Sequence, residues 1–398
     1  MTGNRAEDFS FDEEIDRRLV PTLKVHPLVV GDDGGDLFAA GVADMDFKAP
    51  PVVIEAMQKR LDHGVFGYET VVDGLVPSLS AWLDEHHGWK VEEKQILFAP
   101  NILTALAIAA SLFTDEGDGV IVQPPVFFDF FDILQENHRD LISNPLTLQG
   151  GRYEMDFDDL ERKACDPRAK MIYLCNPHNP VGRVWTREEL QTLGDICAQH
   201  NVLVVADEMH GDLAFAGKSY TPFASLGADY AANCITCLSP AKTFNIASCC
   251  SAFTVIADDK MRKAFQVENS RLSVNKNNPF ANVAMQAAFT DGGPWLESVL
   301  KYLEANVGLV RESLADIPGV SMIEPEGTFL LWLDFNELGL LPDDLTGFLR
   351  NRAKWAVTRG PAFGAQGAGF IRLNIGCTRA RLELALKQLG RAVAELEL

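Results

Sequence analysis

The sequence predicts an α/β fold: a large domain built on a doubly wound, mostly parallel mixed sheet, followed by a smaller α+β domain. Three observations predict it. Short apolar runs alternate with helix-period segments from about residue 95 to 270, the pattern of strands joined by crossover helices. The runs are continuously apolar, as strands covered on both faces must be. From about residue 285 the texture changes to a long helix, short strands and a terminal helix.

In chain order, the apolar runs place strands at 96–98, 119–122, 171–174, 202–206, 234–238 and 252–256. Segments at 102–113, 157–164, 187–200 and 258–270 repeat their apolar residues at helical spacing and supply the covering layers. Beyond them a helix is expected at 294–315, strands at 320–323, 328–334 and 370–374, and a last helix at 379–397. The large domain is accordingly 48–285, and the small domain is 286–398 completed by 1–47. No repeat or low-complexity linker interrupts the chain.

Composition narrows the function. With 398 residues, 47% of them apolar, the chain can bury two substantial cores. No run of 18 uncharged apolar residues occurs, so no membrane span is expected. A net charge of −21 would repel phosphate backbones and argues against nucleic acid as a partner. The opening Met-Thr-Gly-Asn-Arg-Ala-Glu-Asp lacks an apolar signal core, and eight cysteines without an export signal suggest reduced thiols in the cytoplasm. Cys234 and Cys237 form a C-x-x-C, but no second pair accompanies it, so neither a zinc nor a redox site is expected.

The chemistry gathers at three turns. Asn176-Pro177-His178-Asn179-Pro180-Val181-Gly182 follows one strand run, Asp207 ends another, and Ser239-Pro240-Ala241-Lys242-Thr243-Phe244-Asn245 follows a third. An amine, a carboxylate and an amide beside buried strands suit pyridoxal 5′-phosphate. The lysine can join its aldehyde as a Schiff base, the acid can pair with its ring nitrogen, and the amide can bond its phenolic oxygen. Competing cofactors lack their motifs: no G-x-G-x-x-G follows a strand, and no G-x-x-x-x-G-K-[ST] is present. Asp207 and His210 are metal-ligand types without a second cluster, so no metal is expected.

These motifs, in this order, resemble fold-type I pyridoxal-phosphate enzymes of the class I/II aminotransferase superfamily. The narrower resemblance is to the MalY/PatB group of cystathionine β-lyases. It rests on Val42-Ala43-Asp44-Met45-Asp46-Phe47, His63-Gly64-Val65-Phe66-Gly67-Tyr68, Pro125-Val126-Phe127, the stretch from Glu326 to Asp334, and Phe370-Ile371-Arg372-Leu373-Asn374-Ile375. It covers nearly the whole chain.

The resemblance implies a role for each matching residue. Lys242 would hold the cofactor and then move the Cα proton of the substrate. Asp207 would face the pyridine nitrogen, and Asn179 the phenolic oxygen, with His210 a further candidate there. Phe127 stands where the family usually stacks a tyrosine on the ring; a phenyl face stacks as well, without the hydroxyl's hydrogen bond. The amides of Ile102 and Leu103, at a helix N-terminus, and the hydroxyl of Ser239 would bind the phosphate. Asn101 replaces a usual glycine, and asparagine is expected to tolerate an unusual backbone angle there. Tyr68 would reach the phosphate of a neighbouring subunit, which implies a homodimer with shared sites. Arg372 would clamp the substrate α-carboxylate.

Two departures bear on substrate range. Gly41 stands in place of the usual tryptophan, and Ser248-Cys249 in place of Gly-Leu. The implied activity is a C–S β-lyase acting on S-substituted L-cysteines to give thiol, pyruvate and ammonia. The alternative is an aminotransferase, which uses the same residues for the first steps. A non-catalytic regulatory protein on the same fold is disfavoured by the presence of Lys242, Asp207, Asn179 and Arg372 together.

Overall fold

The computed structural model describes residues 9–31, 34–275 and 278–396. Residues 1–8, 32 and 33 of the expected small domain, and the expected helix end at 397, lie outside the described residues.

The main sheet has seven strands: β1 (Ile96–Ala99), β2 (Gly119–Val122), β3 (Asp140–Ser143), β4 (Ala169–Cys175), β5 (Leu203–Asp207), β6 (Cys234–Leu238) and β7 (Ala252–Ile256). Their order is β1-β7-β6-β5-β4-β2-β3. β7 runs antiparallel to β1 and β6, and the other pairs are parallel. The strand missing from the sequence reading is β3. It is an edge strand with Asp140 and Leu141 exposed, so it lacks the all-apolar run that marks a covered strand.

Helices Ile102–Phe113, Phe157–Ala164, Arg187–Gln199 and Asp259–Arg271 lie within a residue of expectation. Each starts at a side-chain cap, from Asn101, Asp156, Thr186 and Asp258 respectively. Four further helices carried weaker signals. Pro51–Asp62 fully buries only Val53, Asp129–Glu136 has just eight residues, and Leu75–His87 holds a proline in its first turn. Half of the residues that Pro279–Asp291 buries are alanines; it straddles residue 285 and packs on Pro51–Asp62 and Leu75–His87.

A second sheet is antiparallel: β8 (Ser321–Ile323), β9 (Leu330–Asp334), β10 (Thr358–Arg359) and β11 (Phe370–Asn374), in the order β8-β9-β11-β10. β9 starts two residues later than expected because Thr328 turns the chain at φ 71°. Helices Gly293–Leu314 and Arg379–Ala394 accompany this sheet, and Phe38–Ala39 pairs in parallel with Trp355–Ala356. Among the described residues no helix is long and apolar enough to cross a membrane.

Two stitches set the relation of the sheets. Glu326 accepts from Arg183 Nε and from the Val184 amide, both at 2.9 Å, tying the loop after β4 to the approach to β9. Gly182 sits there at φ 73°, and a Cβ would meet the backbone of Pro325 at 3.2 Å, so the close approach needs glycine. The second stitch is the extended segment 41–47. Asn374 Nδ2 donates to the carbonyls of Val42 and Asp44, while Asn245 accepts from Met45 N and donates back to Met45 O.

Candidate active site

Parallel α/β sheets collect ligands where strands end at their carboxyl edge. Here β4, β5 and β6 are neighbours, with Asp207 in register with Cys175 on one side and Cys237 on the other. The three turns singled out in the sequence therefore emerge side by side. They open onto a cavity of about 320 Å³ whose lining includes Ile102, Leu103, Phe127, Asn179, Asp207, His210, Ser239 and Lys242.

Lys242 projects from the single helical turn Pro240–Thr243. Its Nζ donates to the carbonyl of Ala43 at 2.6 Å. Burial first, then the neighbouring Arg372 charge, brings its amine down to about 8, against the pull of Asp44, Asp207 and Asp129. The shift raises the share of this amine that is neutral and nucleophilic near neutral pH. The turn is held from behind: Thr243 Oγ1 donates to Asp212 Oδ2 at 2.9 Å, and Asp212 Oδ1 also accepts from Trp82 Nε1 and lies 2.8 Å from His87 Nε2.

Asp207 is buried, and burial pushes its carboxyl up to about 6, partly offset by the Met209 amide and by Lys242. A group that costly to ionise alone is suited to a cationic partner. Asn179 accepts from Arg372 Nη1 at 3.1 Å through its Oδ1, which leaves its NH2 as the donor. His178 is spoken for, its Nε2 lying 3.0 Å from the Pro125 carbonyl. His210 is held neutral, its pKa brought down to about 3 by burial and then by Lys242 and Arg372. Its Nδ1 is buried without a partner among the described residues.

Arg372 lies on β11, 2% exposed. Besides Asn179 it donates from Nη2 to Gly41 O at 2.7 Å, and its guanidinium carbon lies 4.9 Å from the Phe363 ring centroid. Burial lowers its pKa to about 10, so it remains a cation at neutral pH.

At the other end, the helix Ile102–Phe113 points its first amides toward the cavity, and those of Ile102 and Leu103 have no acceptor inside the helix. Asn101 caps it, accepting from Thr104 N at 2.8 Å. The expected backbone role of Asn101 is corrected: its φ of −160° is extended and open to any residue, and its side chain supplies the cap. Ser239 likewise caps the Lys242 turn through Ala241 N, and donates its hydroxyl to Ser251 O at 2.6 Å.

One candidate stands apart. Tyr68 is fully exposed in the segment after helix Pro51–Asp62 and does not line the cavity of its own chain. Conversely, Asp129 lines the cavity and the sequence reading missed it. It follows the quoted Pro125-Val126-Phe127 by two residues, which was the available signal.

The donor set fits pyridoxal 5′-phosphate: a buried amine, a buried carboxylate, free helix N-terminal amides and an unpartnered buried imidazole nitrogen converge on one cavity. This fold and this site define a fold-type I pyridoxal-phosphate-dependent enzyme. The chain belongs to the aminotransferase class I and II family, whose sequence model matches residues 37–389. It is 41% identical over 370 residues to cystathionine beta-lyase PatB of Bacillus subtilis, covering 91% of this chain and 96% of that protein. It is 30% identical to MalY of Escherichia coli, over 90% of this chain and 92% of that one. The crystal structure of cystalysin from Treponema denticola, which contains pyridoxal 5′-phosphate, superposes with a TM-score of 0.95 at 30% identity, covering 98% and 100% of the two chains.

Proposed function

We propose that this protein is a C–S β-lyase that cleaves S-substituted L-cysteines to a thiol, pyruvate and ammonia. The observation that carries the reading is near-full-length similarity to a cystathionine β-lyase in a chain whose cavity is lined by Lys242, Asp207 and Asn179. When bound, pyridoxal phosphate withdraws electrons from the substrate Cα and so stabilises negative charge there.

The chain supplies the rest. Lys242 would hold the cofactor and, once displaced by the substrate amine, carry the Cα proton, a task suited to an amine with pKa near 8. Asp207 would keep the ring nitrogen protonated, and the NH2 of Asn179, with His210, would face the phenolic oxygen. Phe127 would stack on the ring. The amides of Ile102 and Leu103 would take the phosphate; Ser239 would join them if its hydroxyl turns from Ser251. Arg372 would clamp the α-carboxylate in two bonds, orienting the Cα–H toward Lys242. The thiolate then leaves from Cβ.

The assembly proposed is a homodimer in the cytoplasm, with Tyr68 completing the phosphate site of the partner. The proposed division into 48–285 against 1–47 with 286–398 is supported by the two separate sheets, with the helix Pro279–Asp291 running across its boundary.

An aminotransferase is the second reading, favoured by the family match itself. Incubation with L-cystathionine decides between them. The lyase releases pyruvate, ammonia and thiol in equal amounts with no keto acid added. Turnover that stops after one equivalent and resumes only with a keto acid would overturn the lyase.

A further inference from the structure

We propose that Glu161, Cys165 and His200 form a zinc site at the edge of the large domain opposite the catalytic cavity.

Five of the eight cysteines are buried, where a thiol behaves as a small hydrophobe. Cys165 is exposed instead, and two other metal-ligand types stand beside it. Cys165 Sγ lies 3.8 Å from His200 Nε2, and that nitrogen lies 2.6 Å from Glu161 Oε1. The three ligand atoms all fall within 4.8 Å of one another. Tetrahedral zinc, bonded at about 2.3 Å to sulfur and about 2.0 Å to nitrogen or oxygen, holds its ligand atoms about 3.3–3.6 Å apart. The sulfur–nitrogen spacing is already close to that. The imidazole and the carboxylate need to part by only about 0.7 Å, a small adjustment for two partly exposed side chains.

Two helices bring the ligands together. Glu161 and Cys165 are four residues apart, so the helix Phe157–Ala164 presents both on one face at its carboxyl end. His200 caps the carboxyl end of the helix Arg187–Gln199, which packs alongside. Each of these ends carries the negative pole of its helix dipole, which favours a cation between them. Gln199 Nε2 donates to Glu161 Oε1 at 3.2 Å and orients the carboxylate. A surface ion pair would account for His200 and Glu161 alone, but not for the thiol placed against them. Thiolate, imidazole and carboxylate together suit zinc, whereas magnesium and calcium call for oxygen ligands throughout. The fourth position is left to water.

β4 and β5 begin at Ala169 and Leu203, shortly after Cys165 and His200. The metal therefore clasps the amino ends of the two neighbouring strands whose carboxyl ends lead to Asn179 and Asp207. Its role is to fasten two helices, away from the chemistry. The sequence hid the site because His200 follows Cys165 by 35 residues, far outside the short spacings that mark zinc motifs.

Zinc alone is the probe, supplied from a chelator buffer to the reduced, cofactor-loaded full chain. Binding is read by competition with a chromophoric chelator, and site occupancy by iodoacetamide alkylation of Cys165 followed by peptide mass spectrometry. In the wild type, zinc should slow alkylation of Cys165 by at least about tenfold. Cys165→Ser and His200→Asn should each weaken zinc binding by at least about tenfold, since even the loss of an outer-shell partner costs that much. In His200→Asn, Cys165 should react equally fast with and without zinc. Retained cofactor and an unchanged circular dichroism spectrum verify that each variant is folded. Wild-type Cys165 that alkylates equally fast with and without excess zinc overturns the proposal. Zinc affinity that is unchanged in both variants overturns it as well.

Discussion

Arg372 Nη1 donates to Asn179 Oδ1 at 3.1 Å, so the proposed substrate clamp and the proposed cofactor amide are one hydrogen-bonded unit. The bond joins β11 of the small sheet to the loop after β4 of the large one. It also fixes which way the Asn179 amide faces, because a guanidinium can only donate. Removing either partner should therefore be felt at both ends of the cavity.

Arg372→Ala should raise KM for α-carboxylate substrates by about 30- to 1000-fold, the cost of truncating a buried, hydrogen-bonded charge, with a smaller change in kcat. Arg372→Lys should recover little, since a single ammonium cannot reach the carboxylate, Asn179 and Gly41 together. Steady-state kinetics decide it, and an unchanged KM would remove Arg372 from the clamp.

The depressed pKa of Lys242 makes a pH prediction for the cofactor-free protein. Only the neutral amine attacks an aldehyde, so the rate of cofactor capture should rise through about pH 8 and level off above it. Arg372→Ala should move that midpoint upward, because Arg372 is the main depressing influence after burial. Stability follows with a definite sign. The folded pKa lies below the ordinary 10.5, so the penalty for burying the charged amine is full below pH 8 and fades between 8 and 10.5. The stability gained by Lys242→Met in the cofactor-free protein should shrink over that window. Absorbance stopped-flow and denaturant titration measure the two effects, and a pH-independent capture rate would contradict the assignment.

Behind the lysine, Asp212 receives Thr243 and Trp82 and faces His87. Asp212→Ala leaves those buried groups without their acceptor and should cost about 2–4 kcal/mol, lowering the melting temperature by several degrees. Because Thr243 adjoins Lys242, the cofactor should also dissociate faster. Asp212→Asn keeps one acceptor and should lose less. Melting curves and cofactor release on dialysis would show it; an unaltered melting temperature would mean the network contributes nothing.

The residues that announced themselves in the sequence are those whose chemistry needs a fixed neighbourhood. Lys242, Asp207 and Asn179 each follow an apolar run, and those runs are β6, β5 and β4, so strand prediction alone brought them together. Arg372 was legible as a charge inside an apolar strand. Asp129 was not, because an acid in a first helical turn is ordinary and only the cavity distinguishes it. Asp212 was hidden similarly: it lies five residues after Asp207, but its partners come from residues 82, 87 and 243. The anchors of the N-terminal segment, Asn245 and Asn374, were invisible, since asparagine side chains bonding backbone leave no periodic trace.

Tyr68 tests the proposed assembly. It is fully exposed, and Val65 and Phe66 beside it are also exposed, an apolar cluster on a segment that does not line its own cavity. If this segment crosses a two-fold axis, Lys242 of one chain and Tyr68 of the other complete a site. Lys242→Ala and Tyr68→Ala proteins should each be nearly inactive alone. After subunit exchange at equal amounts, about half the dimers are hybrids, each with one intact site of two, so activity should return to about a quarter of wild type. The hybrids can be counted by carrying a charge tag on one variant and resolving the mixture by native mass spectrometry. Exchange without recovery would show that Tyr68 acts within its own chain or not at the site.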